Sequence, residues 1–545
     1  MERPDVAAIS ETYHQSWPRL PGALRQELLE RLGQWDDLPE QIESAGELYN
    51  LPGYLPELAK LEAAAAECSS QRGTIRRHPA ALSLNPSLSV LHLEWSGLIE
   101  LVESGSEPGT SPIEPVPGEV QALLWWDPHA GRVRLQTAAT EDLLILKIVA
   151  DDMDLLQVAT EQDLRPAILH AFLKQAKDKG LVLGPASRLR RSAEVVPEGA
   201  SWAERFRSTD IFTLQWHLTQ ACDLHCRHCY DRSSRSQMSL EEGLRVVEEL
   251  AEFCRDRHVR GQITFTGGNP LLYQHFFDIY QAAARQGFIL AILGNPTDAA
   301  TLEKLIAIEP PALYQVSLEG LEEHNDFIRQ PGHFQKVLSF LDLLKEYGLR
   351  SQVMLTLTEA NLDQVVPLAE VLRQRTDRFA FNRLSMVGEG AALRLPAKET
   401  YHRFMEDYLQ AAASNPVMGL KDNLLNPALL RRGASPFGGC TGFGCGAAFN
   451  FITLLPDGEV HACRKLPSPL GNLKGESLAS IYDNRTAEAY RRAPEACGDC
   501  SLRPVCRGCL AVAYSAGLNV FTDRDPLCDA VWGEASAMSC AGLAG

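Results

Sequence analysis

Three features are scarce in this sequence of 545 residues: long apolar runs, net positive charge, and cysteine before residue 222. No uninterrupted apolar run approaches the length of about 20 residues that a membrane-spanning helix requires. Residues 1–15 are mostly polar, so no secretory signal is predicted. The formal net charge of −18 argues against nucleic acid or an anionic membrane surface as a main partner. These absences predict a cytoplasmic protein.

Cysteine is unevenly distributed along the chain. Of the 14 cysteines, only Cys68 precedes Cys222, whereas eight lie between residues 440 and 528. In a reducing cytosol, clustered cysteines are more often metal ligands than disulfide partners. A secreted module held by disulfides is the alternative, but it lacks an export signal. The distribution therefore predicts metal sites in the C-terminal part of the chain.

Three cysteines at the spacing C-x3-C-x2-C, namely Cys222, Cys226 and Cys229, follow an alternating apolar and polar stretch at 211–218. The alternation predicts a β-strand, so the cysteines lie on the loop at its C-terminal end. A structural zinc site needs four protein ligands, and no suitably spaced fourth ligand follows nearby. Iron–sulfur clusters are normally held by four thiolates, so three would leave one iron open. The alternative is a redox or zinc loop with a distant fourth ligand.

This spacing, with Tyr230 beside the last cysteine, resembles the cluster motif of the radical S-adenosylmethionine (SAM) enzymes. The resemblance implies that Cys222, Cys226 and Cys229 hold a [4Fe–4S] cluster and that SAM chelates its open iron. It further implies that an electron from the cluster cleaves SAM to methionine and a 5′-deoxyadenosyl radical, which abstracts a hydrogen atom from the substrate.

Strands and helices alternate between residues 211 and 388. The patterns predict strands at 211–218, 261–266, 288–294, 313–318, 350–357 and 378–385. They predict helices at about 240–256, 271–286, 298–308, 333–347 and 361–374, the first of which contains Cys254 on its apolar face. Such alternation predicts an α/β fold with a parallel sheet. Six units match the partial (β/α)6 barrel of the radical SAM family, in which ligands bind at the C-terminal ends of the strands.

The segment Gly267-Gly268-Asn269-Pro270 follows the second of these strands. It resembles the Gly-Gly-Glu-Pro motif of the family, whose glycines let the backbone approach the methionine amine of SAM. Asn269 replaces the family's glutamate, so it keeps a hydrogen-bond acceptor but loses the charge-assisted contact. The resemblance implies that all four residues lie at the SAM site.

A second stretch, Ser317-Leu318-Glu319-Gly320, resembles the Ser-x-Asp-Gly stretch of the family. The resemblance implies that Ser317 and Glu319 lie near the ribose or the carboxylate of SAM. Arg329 is a candidate partner for that carboxylate, and a surface arginine is the alternative. Tyr230 completes the predicted cofactor contacts.

The eight C-terminal cysteines follow the spacing C-x4-C-x17-C-x33-C-x2-C-x5-C-x2-C-x18-C. A Pro-Asp-Gly turn predicts a hairpin that brings Cys463 beside the first pair. The pattern resembles the SPASM domain of peptide-modifying radical SAM enzymes, with x2 in place of x3 between Cys506 and Cys509. The resemblance implies two auxiliary [4Fe–4S] clusters, one held by Cys440, Cys445, Cys463 and Cys509 and the other by Cys497, Cys500, Cys506 and Cys528. Two zinc sites are the alternative, which local spacing does not separate.

Before the barrel, residues 1–84 are predicted to be helical, and residues 85–186 combine a small sheet with three helices. This second pattern resembles the winged-helix leader-peptide-binding domains, which bind a leader as an added strand. A structural appendage is the alternative. The stretch Ser187–Ser201, with Arg188, Arg190 and Arg191, is predicted to be a solvated linker. The remaining domains are predicted at 205–395 for the barrel, 396–435 for connecting helices and 436–545 for the SPASM domain.

Together these resemblances imply a radical SAM oxidoreductase that matures a ribosomally made precursor peptide. The predicted product is a crosslink, of thioether type, and the motifs around Cys440 and Asn269 look like those of the selenobiotic, or thio(seleno)oxazole-modification, maturases. A low-potential flavodoxin or ferredoxin is the predicted electron donor. The alternatives are an anaerobic sulfatase-maturing enzyme, disfavoured because Arg464 follows Cys463, and a non-catalytic peptide-binding scaffold. No catalytic acid or base, and no role for Cys68 or Cys540, is predicted.

Overall fold

The computed structural model describes residues 6–31, 37–104, 113–196 and 203–529. The chain divides into two compact units, Met1–Ala186 and Ser187–Gly545. Residues 105–112, and also Cys540, lie outside the described residues. Within the described ranges, no helix is long and apolar enough to cross a membrane.

Among its described residues, the first unit contains five strands and eight α-helices. The strands are β1 (Ser83–Leu84), β2 (Ser89–Ser96), β3 (Val116–Asp127), β4 (Arg132–Thr137) and β5 (Val182–Leu183). The helices are α1 (Val6–Thr12), α2 (Gly22–Arg31), α3 (Leu38–Tyr49), α4 (Leu55–Ser70), α5 (Leu98–Glu103), α6 (Thr140–Ala150), α7 (Leu155–Glu161) and α8 (Pro166–Lys179). The order β2-β3-β4 forms an antiparallel sheet, and β1 pairs with β5.

The two faces of this sheet bury alternate residues of β3, as the two-residue period of a strand requires. Ala122 and Leu124 pack in one core with α1–α5, whereas Leu123 and Trp125 pack in another with α6–α8. Cys68 lies in the first core, where its thiol donates to the carbonyl of Ser87 at 3.1 Å. Residues 1–84 therefore share a core with the sheet that follows them.

The second unit carries the strand–helix alternation and the cysteine-rich segment. The strands are β6 (Ile211–Thr219), β7 (Arg260–Gly267), β8 (Ile289–Leu293), β9 (Leu313–Ser317), β10 (Ser351–Leu357), β11 (Arg378–Arg383), β12 (Phe451–Leu454), β13 (Glu459–Cys463) and β14 (Leu466–Asn472). The helices are α9 (Leu240–Arg257), α10 (Phe276–Arg285), α11 (Ala299–Ile308), α12 (Glu322–Ile328), α13 (His333–Glu346), α14 (Val365–Leu372), α15 (Lys398–Ala412), α16 (Leu425–Arg431), α17 (Leu478–Asp483), α18 (Arg485–Arg491) and α19 (Leu510–Ser515).

These strands form one sheet in the order β11-β10-β9-β8-β7-β6-β12-β13-β14. Strands β6 to β11 are parallel, which confirms the predicted α/β class. The Pro-Asp-Gly hairpin is also confirmed, since β12 pairs antiparallel with β13. Its first strand, however, pairs parallel with β6, so the cysteine-rich segment extends the barrel sheet instead of forming a separate one.

Local sequence explains how the first helix of this unit begins and why it packs. At the start of α9, the Ser239 hydroxyl accepts from the Glu242 amide at 3.2 Å, and the Glu242 carboxylate accepts from the Ser239 amide at 2.8 Å. This capping box satisfies two amides that the first helical turn leaves unpaired. Cys254 lies in the core on the other side of the helix, as predicted, and burial raises the pKa of its thiol to about 12.

Candidate functional site

The C-x3-C-x2-C motif lies on the loop that follows β6. Three backbone hydrogen bonds from neighbouring elements hold this loop: Asn269 N to Ala221 O at 2.8 Å, Arg227 N to Ile328 O at 2.9 Å, and Glu389 N to Cys229 O at 2.8 Å. They come from the segments that follow β7 and β11 and from the end of α12. The loop is therefore fixed by backbone contacts with three different parts of the barrel.

Gly267 and Gly268 are required by the close approach of this loop. Gly267 has a φ of +127°, and a Cβ there would overlap the carbonyl of Thr219. A Cβ on Gly268 would overlap the carbonyl of Ala221. The sequence comparison assigned these glycines to the approach of SAM, and the structure adds a second reason, because any side chain would displace the cysteine loop.

The cysteines open onto a cavity of about 470 Å³ at the C-terminal ends of the parallel strands. Residues that follow β6 to β11 line it, as barrel enzymes lead one to expect. The predicted site residues among its lining are Cys222, Cys226, Cys229, Tyr230, Gly267, Gly268, Ser317 and Arg329. Asn269, Pro270 and Glu319 do not line the cavity.

Asn269 is turned toward the cysteine loop instead. Its amide Nδ2 donates to Asp223 Oδ1 at 3.0 Å, and Asn295 Nδ2 donates to the same oxygen at 2.6 Å. Asn295 also lies 3.7 Å from Cys222 Sγ. The sequence prediction missed Asn295, although the triplet Gly294-Asn295-Pro296 after β8 repeats the one after β7. The two asparagines therefore hold the residue next to the first cysteine.

Glu319 is the buried counter-ion of Arg329. The Arg329 guanidinium contacts Glu319 Oε1 at 2.5 Å, and the Thr356 amide donates to Glu319 Oε2 at 2.8 Å. Burial raises the pKa of Glu319, but the neighbouring His228 and Arg329 hold it below its usual range. Burial also lowers the pKa of His228 to about 4. Near neutral pH, the cation beside Glu319 is therefore Arg329 and not His228. Arg329 Nη1 lies 3.6 Å from Cys226 Sγ, so this pair positions a positive charge beside the second cysteine.

On another part of the cavity wall, Tyr230 meets residues that the sequence did not indicate. Its hydroxyl lies 3.2 Å from His217 Nε2. Burial lowers the pKa of His217 to about 3, so the ring that meets the tyrosine hydroxyl is neutral near pH 7. Arg464 and Lys465, from the turn between β13 and β14, complete this wall. The SPASM-like hairpin therefore contributes cations to the same cavity as the first three cysteines.

Two groups of thiols form in the C-terminal segment. In the first group, burial raises the pKa of Cys463 to about 11, and the charges of Cys445 and Cys440 raise it as well. Burial raises the pKa of Cys509 to about 12, and Cys445 again contributes. Each of these four thiols therefore lies within electrostatic reach of another.

In the second group, burial raises the pKa of Cys528 to about 11, with contributions from Cys497 and Cys500. Burial also raises the pKa of Cys506 well above its usual range, with contributions from Cys528 and Cys500. The cysteines that act on Cys506 and Cys528 are therefore different from those that act on Cys463 and Cys509.

The donor chemistry suits iron–sulfur clusters. Among the described residues, no three Cys, His, Asp or Glu side chains converge as ligands of a single metal ion. A cubane cluster has a wider donor set, because each thiolate binds a different iron. Three thiols around one cavity, with one further position left for a ligand, fit a cluster of this kind.

Comparison with known protein families matches two parts of the second unit. Residues 216–372 match the Radical SAM superfamily, and residues 445–510 match SPASM, an iron–sulfur cluster-binding domain. The first match begins within β6 and includes the cysteine loop, and the second spans the hairpin and most of the later cysteines.

Individual relatives are similar over more than half of the chain. The AdoMet-dependent heme synthase of Methanosarcina barkeri is 26% identical over 348 residues, which cover 58% of this chain and 95% of that protein. The antilisterial bacteriocin subtilosin biosynthesis protein AlbA of Bacillus subtilis is 26% identical over 323 residues, which cover 56% of this chain and 67% of that protein.

Among solved structures, Streptococcus suis SuiB bound to the precursor peptide SuiA is 16% identical, with a TM-score of 0.49 over 75% of this chain and 96% of that one. The chain therefore contains a Radical SAM superfamily domain, which includes the cysteine loop, followed by a SPASM iron–sulfur cluster-binding domain.

Proposed function

We propose that this enzyme matures a ribosomally made precursor peptide by radical chemistry. When bound, the [4Fe–4S] cluster and SAM supply the 5′-deoxyadenosyl radical. Cys222, Cys226 and Cys229 would hold that cluster, and the Glu319–Arg329 pair would keep Arg329 oriented toward Cys226. Similarity to relatives alone does not select a peptide substrate, because a heme synthase is 26% identical over 58% of this chain.

The observation that carries the peptide proposal is a free strand edge in the first unit. Within the part of the chain that the structure describes, strand β4 pairs only with β3. The Ala138 amide donates to Gln121 O, so alternate residues of β4 bond to β3 and the residues between them face away. Val133, Leu135 and Thr137 therefore present amides and carbonyls for which the described residues provide no partner. An extended leader peptide could add there as a further strand.

Proline substitution tests this edge without breaking the sheet. In the Val133→Pro variant, the outward amide is lost while the bonds to β3 remain, because proline is tolerated on an edge strand when its nitrogen faces solvent. We expect at least tenfold weaker binding of a fluorescent leader peptide, measured by anisotropy. Val90→Pro makes the same change at the opposite edge, on β2, and should bind like the wild type. If the Val133→Pro variant and the wild type bound the leader with equal affinity, the proposal that the leader pairs with β4 would be wrong.

We further propose that the eight C-terminal cysteines hold two auxiliary [4Fe–4S] clusters. Cys440, Cys445, Cys463 and Cys509 would hold the first, and Cys497, Cys500, Cys506 and Cys528 the second. The electrostatic grouping of the thiols supports these sets.

Arg464 lies at the cavity wall, in the position where sulfatase-maturing enzymes carry an acidic residue. This difference supports a peptide crosslink over the oxidation of a sulfatase residue.

The product is testable by mass. A short cysteine-rich precursor peptide, incubated anaerobically with enzyme, SAM and dithionite, should lose two hydrogens, or about 2 Da. After phosphine reduction and alkylation, a thioether should show one blocked thiol, whereas a disulfide would be reversed. Enzyme with Cys222→Ala is the control and should leave the peptide unchanged. A peptide that binds but keeps its mass, while SAM is cleaved, would contradict the proposed maturation of that peptide.

A further inference from the structure

Three arginines meet beside the auxiliary cysteines. Arg191 and Arg507 are 5% and 3% exposed. Arg191 Nη2 donates to Phe443 O at 2.8 Å and to Cys445 O at 3.0 Å, and Arg507 Nη2 donates to the same two carbonyls. Both also donate through Nη1 to Arg491 O, at 3.2 Å and 2.8 Å. Two guanidinium groups therefore share one set of backbone acceptors.

No carboxylate compensates Arg191 or Arg507 among the described residues. The ion pairs of this region involve Arg491, with Glu488 at 2.9 Å, and not the other two arginines. The Nε atoms of Arg191 and Arg507 are buried without a hydrogen-bond partner in the described structure. Arg191 instead stacks over the ring of Phe449, 4.0 Å from its centre. A buried cation normally requires a paired negative charge, so this arrangement is incomplete as it stands.

The arginine pair connects residues of both proposed ligand sets. The side chains of Arg191 and Arg507 both donate to the carbonyl of Cys445, which belongs to the first set. Arg507 itself directly follows Cys506, which belongs to the second set.

We propose that Arg191 and Arg507 form a shared counter-charge for the two auxiliary clusters and raise their reduction potentials. This inference rests on the ligand sets proposed above. Reduction adds one electron to a [4Fe–4S]²⁺ cluster and gives [4Fe–4S]⁺, which makes the site one unit more negative. A buried cation nearby stabilises that form, and net charge and hydrogen bonding are established determinants of cluster potentials.

Arg191 reaches this position because its segment is folded against the start of the barrel. The Arg191 amide donates to Arg207 O at 2.7 Å, and the backbones of Arg190 and Ser208 form an isolated antiparallel β-bridge. The sequence predicted a solvated linker for 187–201, and this prediction is wrong for Arg191, whose side chain is buried against the SPASM segment. Arg188, three residues earlier, is exposed and pairs with Asp256 at 3.1 Å.

Two substitutions at Arg191 separate charge from hydrogen bonding. Arg191→Gln and Arg191→Lys both keep a donor for the carbonyls, but only lysine keeps the positive charge. Both are placed in full-length protein whose Cys222, Cys226 and Cys229 are alanines, so that only auxiliary clusters contribute to the spectrum. Arg188→Gln is the control from the same segment.

Iron content is measured first, and dithionite-poised EPR titration then gives the midpoint potentials. We expect Arg191→Gln to lower the ratio of reduced to oxidised auxiliary cluster at least tenfold at a fixed potential, which is 59 mV for a one-electron couple. Arg191→Lys should shift the midpoint potential far less, and Arg188→Gln should leave the midpoint potential unchanged. Equal potentials for the glutamine and lysine variants would overturn the counter-charge. A parent protein that binds no auxiliary iron would instead refute the proposed ligand sets, before any potential is measured.

Discussion

Replacement of Cys222 by alanine is expected to abolish the release of 5′-deoxyadenosine from SAM under reducing conditions. Two thiolates cannot hold the cubane in the position that leaves one iron for SAM, and Cys222 also loses its contact with Asn295. Anaerobically reconstituted wild type should carry about twelve irons in three cubanes, and the variant about eight. Chromatography of the reaction and iron determination measure the two effects.

Cys254→Ala is the matched control, because that thiol is buried in the core on α9, in the same unit, and belongs to none of the proposed ligand sets. It should keep both its iron content and the release of 5′-deoxyadenosine. If the Cys222→Ala variant released 5′-deoxyadenosine at the rate of wild type, the assignment of the C-x3-C-x2-C motif to the SAM-binding cluster would be wrong.

The parts of this fold that local periodicity controls could be predicted from the sequence. Strand β6 was expected at 211–218 and spans Ile211–Thr219, and α9 was expected at 240–256 and spans Leu240–Arg257. Alternation marks a strand and a recurring apolar face marks a helix, so each signal is complete within a single segment. The position of the cysteine loop could also be predicted, because it depends only on where strand β6 ends.

The parts that could not be predicted depend on contacts between distant segments. The family motif assigned Asn269 to SAM, but its amide bonds to Asp223, 46 residues away along the chain. Arg191 was expected in solvent, but it contacts the carbonyl of Phe443, 252 residues away. Neither side chain carries a local mark of its partner, because charge and hydrogen-bonding capacity alone do not specify which group completes them.

These distant contacts also show how the cysteine-rich segment is joined to the barrel. Strand β12 continues the barrel sheet beside β6, and the turn after β13 places Lys465 so that its Nζ donates to Arg383 O at 3.0 Å. The cavity wall therefore requires both domains. A change in either domain is expected to alter the cavity, even when the three cysteines of the first motif are untouched.

The largest stability effect is expected at Arg383, which is 1% exposed at the end of β11. Its Nη1 and Nη2 contact both carboxylate oxygens of Asp525 at 2.7 Å, and its Nε contacts Asp422 at 2.7 Å. Arg383→Met would leave two buried carboxylates without a cation, and breaking a buried pair in this way costs about 3–5 kcal/mol. Urea denaturation of the metal-free protein measures the change in the free energy of unfolding.

An exposed pair supplies the control. Arg375 contacts Asp342 at 2.6 Å, but both side chains are largely accessible to solvent, so Arg375→Met should cost at most about 1 kcal/mol. Arg383→Lys, which keeps the charge but loses the two-pronged contact, should fall between them. If Arg383→Met destabilised the protein no more than Arg375→Met does, the buried network would not be a major contributor to stability.

The Arg383→Met substitution should also disturb the auxiliary cysteines. Asp525 Oδ2 accepts from the Cys509 amide at 2.7 Å, and the Asp525 carbonyl accepts from the Cys528 amide at 2.9 Å. Cys509 and Cys528 belong to different proposed ligand sets, so Asp525 connects both sets to the end of a barrel strand. Arg383→Met should therefore lower auxiliary iron content more than Arg375→Met does, because the Asp525 carboxylate that holds the Cys509 amide loses the guanidinium that balances its charge.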